Sequence, residues 1–478
     1  MSRTRKIFVS ERKSPEATAY FSEICGKCSR MKARTNDLML LVRAAVSKSP
    51  DERTPDEREA LEILERGLNY ANEKIAEKAR RTETEAKTRP FPTAERQTYR
   101  YEDWDSTFKA NDDETYRSLP AQVAQNAIRS TCEAWKNHFA RLKARKGTTG
   151  LPAETIPSPS FDPETESTAW FSNQSATIAE RDGRFFMRFP KTSVEVEVGR
   201  LDGKFVKAEV KPKNGGYELL VTTDDGTTVP EIPESPKRIV GIDFGVDNLM
   251  AVANNYGATP YVVKGLALKS MNQWRDKRAG KLRSNLKDGE KSRKLTALER
   301  SRENKIRDFF GKTAKFVCER AAADGVEAIV IGRNKGWKQN LNMGRVNNRT
   351  FHMIPYSKLE SALRNAAEKV GISVIAVEES YTSKASLLDL DELPTYGEES
   401  EVVPKFSGTR TKRGLYKSSD GTEVNADVNG AGNIVRKAFP NAFDETPDMS
   451  YLWKTTESFG YADFYPTRPK GTKAKKTT

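Results

Sequence analysis

Gly241-Ile242-Asp243-Phe244-Gly245, at the end of the apolar run that starts at Arg238, decides the fold. The run reads as a strand whose last residue emerges at a sheet edge, where α/β folds place their chemistry. Glycines at 241 and 245 keep bulk away from the carboxylate. The same acid-ending pattern recurs at Val377-Glu378-Glu379 and at Asn425-Ala426-Asp427. Three separated carboxylates in a basic chain suit metal-dependent phosphodiester hydrolysis. Two cations about 3.5–4 Å apart activate water and stabilise the leaving oxygen, and Mg²⁺ prefers hard oxygen ligands. Taken singly, each acid also fits a plainer role: Asp243 in a turn or helix cap, Asp427 as an N-cap, and the glutamates as surface charge.

Outward from Asp243, strands alternate with helices. A hairpin is expected through 249–264, then a basic helix, then a long helix from about Thr296 to Asp324. Strand Glu327–Ile331, helix Tyr356–Val370, strand Ser373–Val377 and helix Asp427–Ala438 follow. This pattern means an α/β sheet. Arg413 to Thr422 reads as a hairpin with a glycine-containing turn.

Upstream the pattern differs. Residues 5–12 read as one short strand, and helical periodicity then takes over. Leu38, Leu41, Val42, Ala45 and Val46 share a face. Thr54-Pro55-Asp56-Glu57 starts a helix with a cap, a proline and a capping-box glutamate. Residues 82–113 read as irregular or lid-like, and a helix is expected from Pro120 to Lys146. From 148, alternating runs at 185–189, 194–198 and 217–221 with turns at Asp182-Gly183, Asp202-Gly203 and Gly215-Gly216 suggest a small β-barrel. The expected organisation is a first barrel strand at 1–13, a helical lobe at 14–147 and the β-barrel at 148–235. An α/β domain at 236–464 follows, with an insertion at about 380–424, and then a basic disordered tail at 465–478. The fold class is α+β multidomain.

The chain has 81 Lys+Arg against 67 Asp+Glu, a net charge of +14 and a pI near 9.3. Such a surface attracts polyanions. No apolar stretch is long enough to span a membrane, and Met1 to Lys6 does not begin a secretory signal. Four cysteines in 478 residues argue against a disulfide framework and fit a reducing cytoplasm, with association to the nucleoid. Cys25-Gly26-Lys27-Cys28 is a lone pair where zinc wants four ligands. No zinc is expected.

The motif Gly241 to Leu249 resembles the first RuvC motif of the TnpB family, transposon-encoded RNA-guided nucleases related to compact type V CRISPR effectors. Tyr381-Thr382-Ser383-Lys384 resembles their Thr-Ser signature, and Asn425 to Asn433 their third RuvC motif. Stretches at 119–139 and 171–174 are similar as well, so the likeness covers about 115 to 440. It implies an RNase H-like (RuvC) nuclease domain behind a β-barrel (wedge) with an inserted helical recognition lobe. It also implies guide RNA and target DNA as partners, two Mg²⁺ or Mn²⁺ ions, and a monomer carrying one guide RNA.

Two departures follow. Many relatives carry the second acid at the end of the strand equivalent to 327–332, which here ends Ile331-Gly332-Arg333. The resemblance includes subgroups with the acid relocated to the next strand. That makes Glu379 the third metal ligand beside Asp243 and Asp427, with Glu378 as the alternative acid. Strand alternation sends the two glutamates to opposite faces. Many relatives also bind zinc through two Cys-x-x-Cys pairs, whereas no cysteine follows Cys318 here.

Between 275 and 294 nine basic residues face three acidic ones. Arg275, Arg278, Lys281 and Arg283 belong to this run. It reads as a solvated helix face or as a phosphate track along a guide–target duplex. Lys335, Trp337, Lys338 and Arg345 combine cations with an aromatic group, for base stacking or for packing. Arg410, Lys412 and Arg413 form a further cluster, and Thr382, Ser383 and Lys384 complete the nucleic-acid-binding candidates. The leading expectation is an RNA-guided DNA endonuclease that reads a short flanking motif. A nuclease-dead RNA-guided repressor and a guide-independent, resolvase-like DNA-binding protein remain open.

Overall fold

The computed structural model describes residues 2–96, 100–146, 156–213, 215–228, 231–287, 292–333, 353–394, 405–446 and 448–465. They form two compact units, Met1–Thr227 and Thr228–Thr478.

In the first unit, β1 (Ser2–Val9) precedes helices α1 (Pro15–Val46), α2 (Pro55–Thr82), α3 (Tyr101–Ala110), α4 (Glu114–Arg117) and α5 (Ala121–Lys146). Strands β2 (Ala169–Ser172), β3 (Thr177–Arg181), β4 (Arg184–Arg188), β5 (Glu195–Glu197), β6 (Lys204–Lys213) and β7 (Gly216–Asp224) follow. The strands make two open sheets, β1-β7-β6-β2 and β3-β4-β5, and no closed barrel is found among the described residues. The expected barrel is therefore corrected. Sequence alternation gives strands and turns alike in both cases, but closure depends on pairing between distant edges. β1 pairs antiparallel with β7 along its whole length, from Ser2 opposite Asp224 to Val9 opposite Tyr217. Helices α1 to α5 are thus inserted between β1 and β2, the two edge strands of the first sheet.

α2 begins as its residues dictate: Thr54 accepts a bond from the Glu57 N–H, and the Glu57 carboxylate accepts from the Thr54 N–H. The segment expected to be irregular contains α3 instead. Trp104 and Phe108 are buried there, and their packing overrides a polar local composition. Cys25 and Cys28 lie in the core, and burial pushes the Cys28 thiol up to about 12. Both act as packing groups here.

The second unit holds β8 (Ile239–Asp243), β9 (Asn248–Asn254), β10 (Tyr261–Lys264), α6 (Leu266–Arg283), α7 (Arg293–Ala323), β11 (Ala328–Gly332), α8 (Tyr356–Lys369) and β12 (Ser373–Val377). Then come β13 (Thr409–Lys412), β14 (Leu415–Lys417), β15 (Glu423–Asn425), α9 (Ala426–Ala438), α10 (Tyr451–Lys454), β16 (Glu457–Phe459) and α11 (Tyr461–Phe464). One mixed sheet runs β12-β11-β8-β9-β10-β16. β8 pairs antiparallel with β9, as β9 does with β10. β11 lies parallel to both β8 and β12.

Alternation sorts the residues of β8 and β11 onto two faces. Val240, Ile242, Ile329 and Ile331 pack with Phe309, Phe310 and Leu359 of α7 and α8. Ile239 and Val330 pack with Val428, Ala431, Ile434 and Val435 of α9. Gly241 is required beneath that helix, because a Cβ there would collide with the Ala431 carbonyl. By the same period, Asp243 and Gly332 belong to the α9 face.

Candidate active site

Asp243 ends β8 and keeps some contact with water. Its carboxyl is pushed up to about 7, first by burial and then by the negative charge of Asp427, with Arg410 opposing. The two acids therefore share one small region. Gly430 lies against it: a Cβ there would stand 3.1 Å from Asp243 Oδ2 and 3.9 Å from Ser383 Oγ.

Asp427 opens α9, and Asn425 caps the helix by accepting from the Asp427 and Val428 N–H groups. The Asn248 side chain donates to Asp427 Oδ2 at 2.6 Å and accepts from Lys264 at 3.0 Å. Arg410 approaches the other Asp427 oxygen at 3.7 Å. The helix N-terminus and these donors fix the position of the carboxylate.

The regular part of β12 ends at Val377, which packs on the α9 cluster. Glu379, two residues on, lies on the same side. A Cβ at Gly332 would stand 2.5 Å from Glu379 Oε2, and Ile434 of α9 lines the same spot at 2.8 Å. Glu378 turns away into its own network. It accepts from the Ser380 N–H and hydroxyl and pairs with Lys437 at 3.2 Å, and the Lys437 side chain is only 8% exposed. The expected opposition of the two glutamates thus comes from a turn and an ion pair, because both residues lie past the end of the regular strand.

The structure brings Asp243 beside Asp427 and sets Glu379 on the same face of the sheet. Among the described residues, no three His, Cys, Asp or Glu side chains converge as a ready-made metal cluster.

Three residues without a role in the sequence reading fix the site, Asn429, Asn433 and Asn248. Asn429 and Asn433 are fully buried in α9. Asn429 donates to the Ala385 carbonyl and accepts from the Leu387 N–H. Asn433 donates to the Thr382 and Ala385 carbonyls. They fasten the segment after Glu379 to the helix that carries Asp427. Their spacing of four along a small-residue helix was the available signal.

The nucleic-acid-binding candidates divide. Arg278, Lys281, Arg283, Ser383, Lys384 and Lys412 are exposed. Arg275 is not part of an open track: it is largely buried between α6 and α7, paired with Asp276 and Glu299. Thr382 is buried, and its hydroxyl donates to the Glu379 carbonyl, so it shapes the turn. Arg413 pairs with Asp247, and Arg410 with Asp427. Lys335, Trp337, Lys338, Arg345 and the tail from 466 lie outside the described residues. Among the described residues no helix is long and apolar enough to cross a membrane.

Two family models match parts of the chain. Residues 218–338 match the family OrfB_IS605, described as "Probable transposase". Residues 356–434 match the "Cas12f1-like, TNB domain" family. The resemblance to TnpB and compact type V proteins read from the sequence therefore holds in both family models. No curated protein sequence matches the chain. Among solved structures, the chain is similar to a Cas12f1–sgRNA–target DNA complex, with 16% identity over 78% of this chain and 93% of that one, at a TM-score of 0.32. It is also similar to the mini-RNA-guided endonuclease CRISPR-Cas_phi3, with 9% identity over 92% of each chain, at a TM-score of 0.45. A third is C2c1 of Alicyclobacillus acidoterrestris with single-guide RNA, with 10% identity over 89% of this chain and 70% of that one, at a TM-score of 0.35.

Proposed function

We propose that this chain is an RNA-guided DNA endonuclease whose second unit is an RNase H-like, RuvC-type nuclease domain. The observation that carries the reading is the shared side of three acids. Asp243 ends the central strand, Asp427 opens the helix over that strand, and Glu379 stands above Gly332 on the same face. The sheet order supports it: β8, β9 and β10 are antiparallel, β11 and β12 follow parallel to β8, and β16 adds an edge strand beside β10. So do the two family models.

The donor set fits a hard divalent cation. It offers carboxylate oxygens only, and the raised affinity of Asp243 for a proton marks a place where a positive charge is wanted. Asp243, Asp427 and Glu379 would hold Mg²⁺ or Mn²⁺, which would supply activated water and charge neutralisation at a scissile phosphodiester. Asn248 and the start of α9 orient Asp427. Asn429 and Asn433 hold the segment that follows Glu379. Exposed cations of α6 and of β13 would meet phosphates. The protein would act as a monomer with one guide RNA, in the cytoplasm.

A decisive experiment purifies the chain with its RNA, sequences that RNA and supplies a matching plasmid with Mg²⁺. Cleavage that disappears in Asp243→Ala and Asp427→Ala, with RNA binding retained, supports the reading. Cleavage at wild-type rate in either variant refutes the metal assignment.

The looseness of the acidic group favours a second reading, a nuclease-dead RNA-guided binder. Guide-dependent DNA binding without cleavage at any Mg²⁺ or Mn²⁺ concentration would select it.

A further inference from the structure

We infer that the outer face of α6 is a binding site for unpaired nucleic-acid strand, with Trp274 as its stacking platform. α6 is divided cleanly. Leu268, Asn272 and Ala279 are buried and Arg275 is largely so, forming the inner face toward α7. Asn272 accepts from Arg302 of α7 at 2.6 Å, and Arg275 reaches Glu299 of α7 at 3.3 Å. The opposite face carries Trp274, Lys277, Arg278 and Lys281, at positions i, i+3, i+4 and i+7 of one helical stripe.

Trp274 is 54% exposed, the most open tryptophan among the described residues. Lys277, Arg278 and Lys281 are all exposed. No carboxylate lies on their stripe, and among the described residues none of the three cations forms an ion pair. α7 adds Lys305, whose ammonium sits 5.5 Å from the Trp274 ring centroid.

Charge complementarity commits the face to a polyanion. The indole narrows the choice further. A cationic stripe alone would track any phosphate backbone, paired or not. An exposed indole gains only from a flat apolar partner, and the bases inside a duplex are stacked on each other. An unpaired base stacks on tryptophan whatever its sequence. Lys277, Arg278, Lys281 and Lys305 then lie where flanking phosphates would run. This differs from the duplex track expected from the sequence, and it does not depend on cleavage.

The test uses the full-length protein as purified, a 20-nucleotide oligothymidylate and a blunt 20-base-pair duplex at equal salt. Trp274→Ala is expected to weaken oligothymidylate binding about tenfold and duplex binding less than twofold. Trp274→Phe should stay within about threefold of wild type for both. Oligothymidylate should also quench wild-type tryptophan emission more than that of Trp274→Phe. Equal losses on strand and duplex, no loss on either, or unchanged quenching in Trp274→Phe would each overturn the inference. A melting temperature lowered by Trp274→Ala with nucleic-acid affinity intact would make Trp274 a packing residue and overturn it too. The readout is binding alone, so failure of the endonuclease reading would not decide this result.

Discussion

Glu379 occupies the space above Gly332 that a side chain on the neighbouring strand would otherwise fill. A Cβ at 332 would lie 2.5 Å from Glu379 Oε2 and 3.2 Å from Glu379 Cβ. The strand without an acid and the acid one strand further out are thus two halves of one arrangement. Gly332→Ala should displace the Glu379 carboxylate and lower cleavage at least tenfold, with the fold retained by circular dichroism. In a Glu379→Gln background the same change should have little further effect, because the two act through one group. Additive losses in the double variant would separate them.

Glu379→Gln should stop cleavage, while Glu378→Gln should act on stability. Glu378 neutralises Lys437, which is nearly buried. Its loss leaves a buried ammonium with the Pro394 carbonyl at 2.7 Å as its remaining partner. The expected cost is about 1–3 kcal/mol, read by denaturant unfolding, with cleavage within a few-fold of wild type at low temperature. Opposite phenotypes would assign the catalytic acid to Glu378.

The raised Asp243 carboxyl makes metal-free stability depend on pH. In the folded state it holds its proton up to about 7, against an ordinary value of 3.8. Between these values the unfolded chain has released the proton and the folded chain has not. Stability from this group is therefore full below the lower value and lost as pH rises toward the higher one. Asp243→Asn should remove that fall and be more stable than wild type at pH 8 in a chelator, by about 1–3 kcal/mol given the partial water contact. Added Mg²⁺ should stabilise wild type and not the variant. Parallel pH profiles for the two proteins would contradict the assignment.

Asn433→Ala should detach the 382–385 backbone from α9. It removes donors to two carbonyls in a fully buried setting. About 2–3 kcal/mol of stability should be lost, together with faster amide exchange across 379–387. Unchanged exchange there would mean the turn holds itself.

Metal content gives a final check. Cleavage should require Mg²⁺ or Mn²⁺ and survive zinc-selective chelation. Stoichiometric zinc in the purified protein would contradict the reading of Cys25 and Cys28 as core residues.

Much of the second unit was legible in the sequence because its signals are local. The run ending at Asp243, the hairpin of β9 and β10, and the small-residue helix at 426–438 each declare themselves by period and turn chemistry. So did the capping box at Thr54, which needs only four residues. What depends on distant partners was not legible. Whether strands close into a barrel is settled by pairing of remote edges, and here the sheets of the first unit stay open. Tyr101 to Ala110 is polar enough to read as loop, yet Trp104 and Phe108 find a core to enter. Arg275 looks like its basic neighbours until Glu299 of another helix meets it. The sequence by itself determined which acids are available and which strand ends carry them, since strand ends and caps are properties of short segments. Only the tertiary structure decided that Glu379 stands over Gly332 while Glu378 is tied to Lys437, because that choice is made by a helix that enters the chain some fifty residues later.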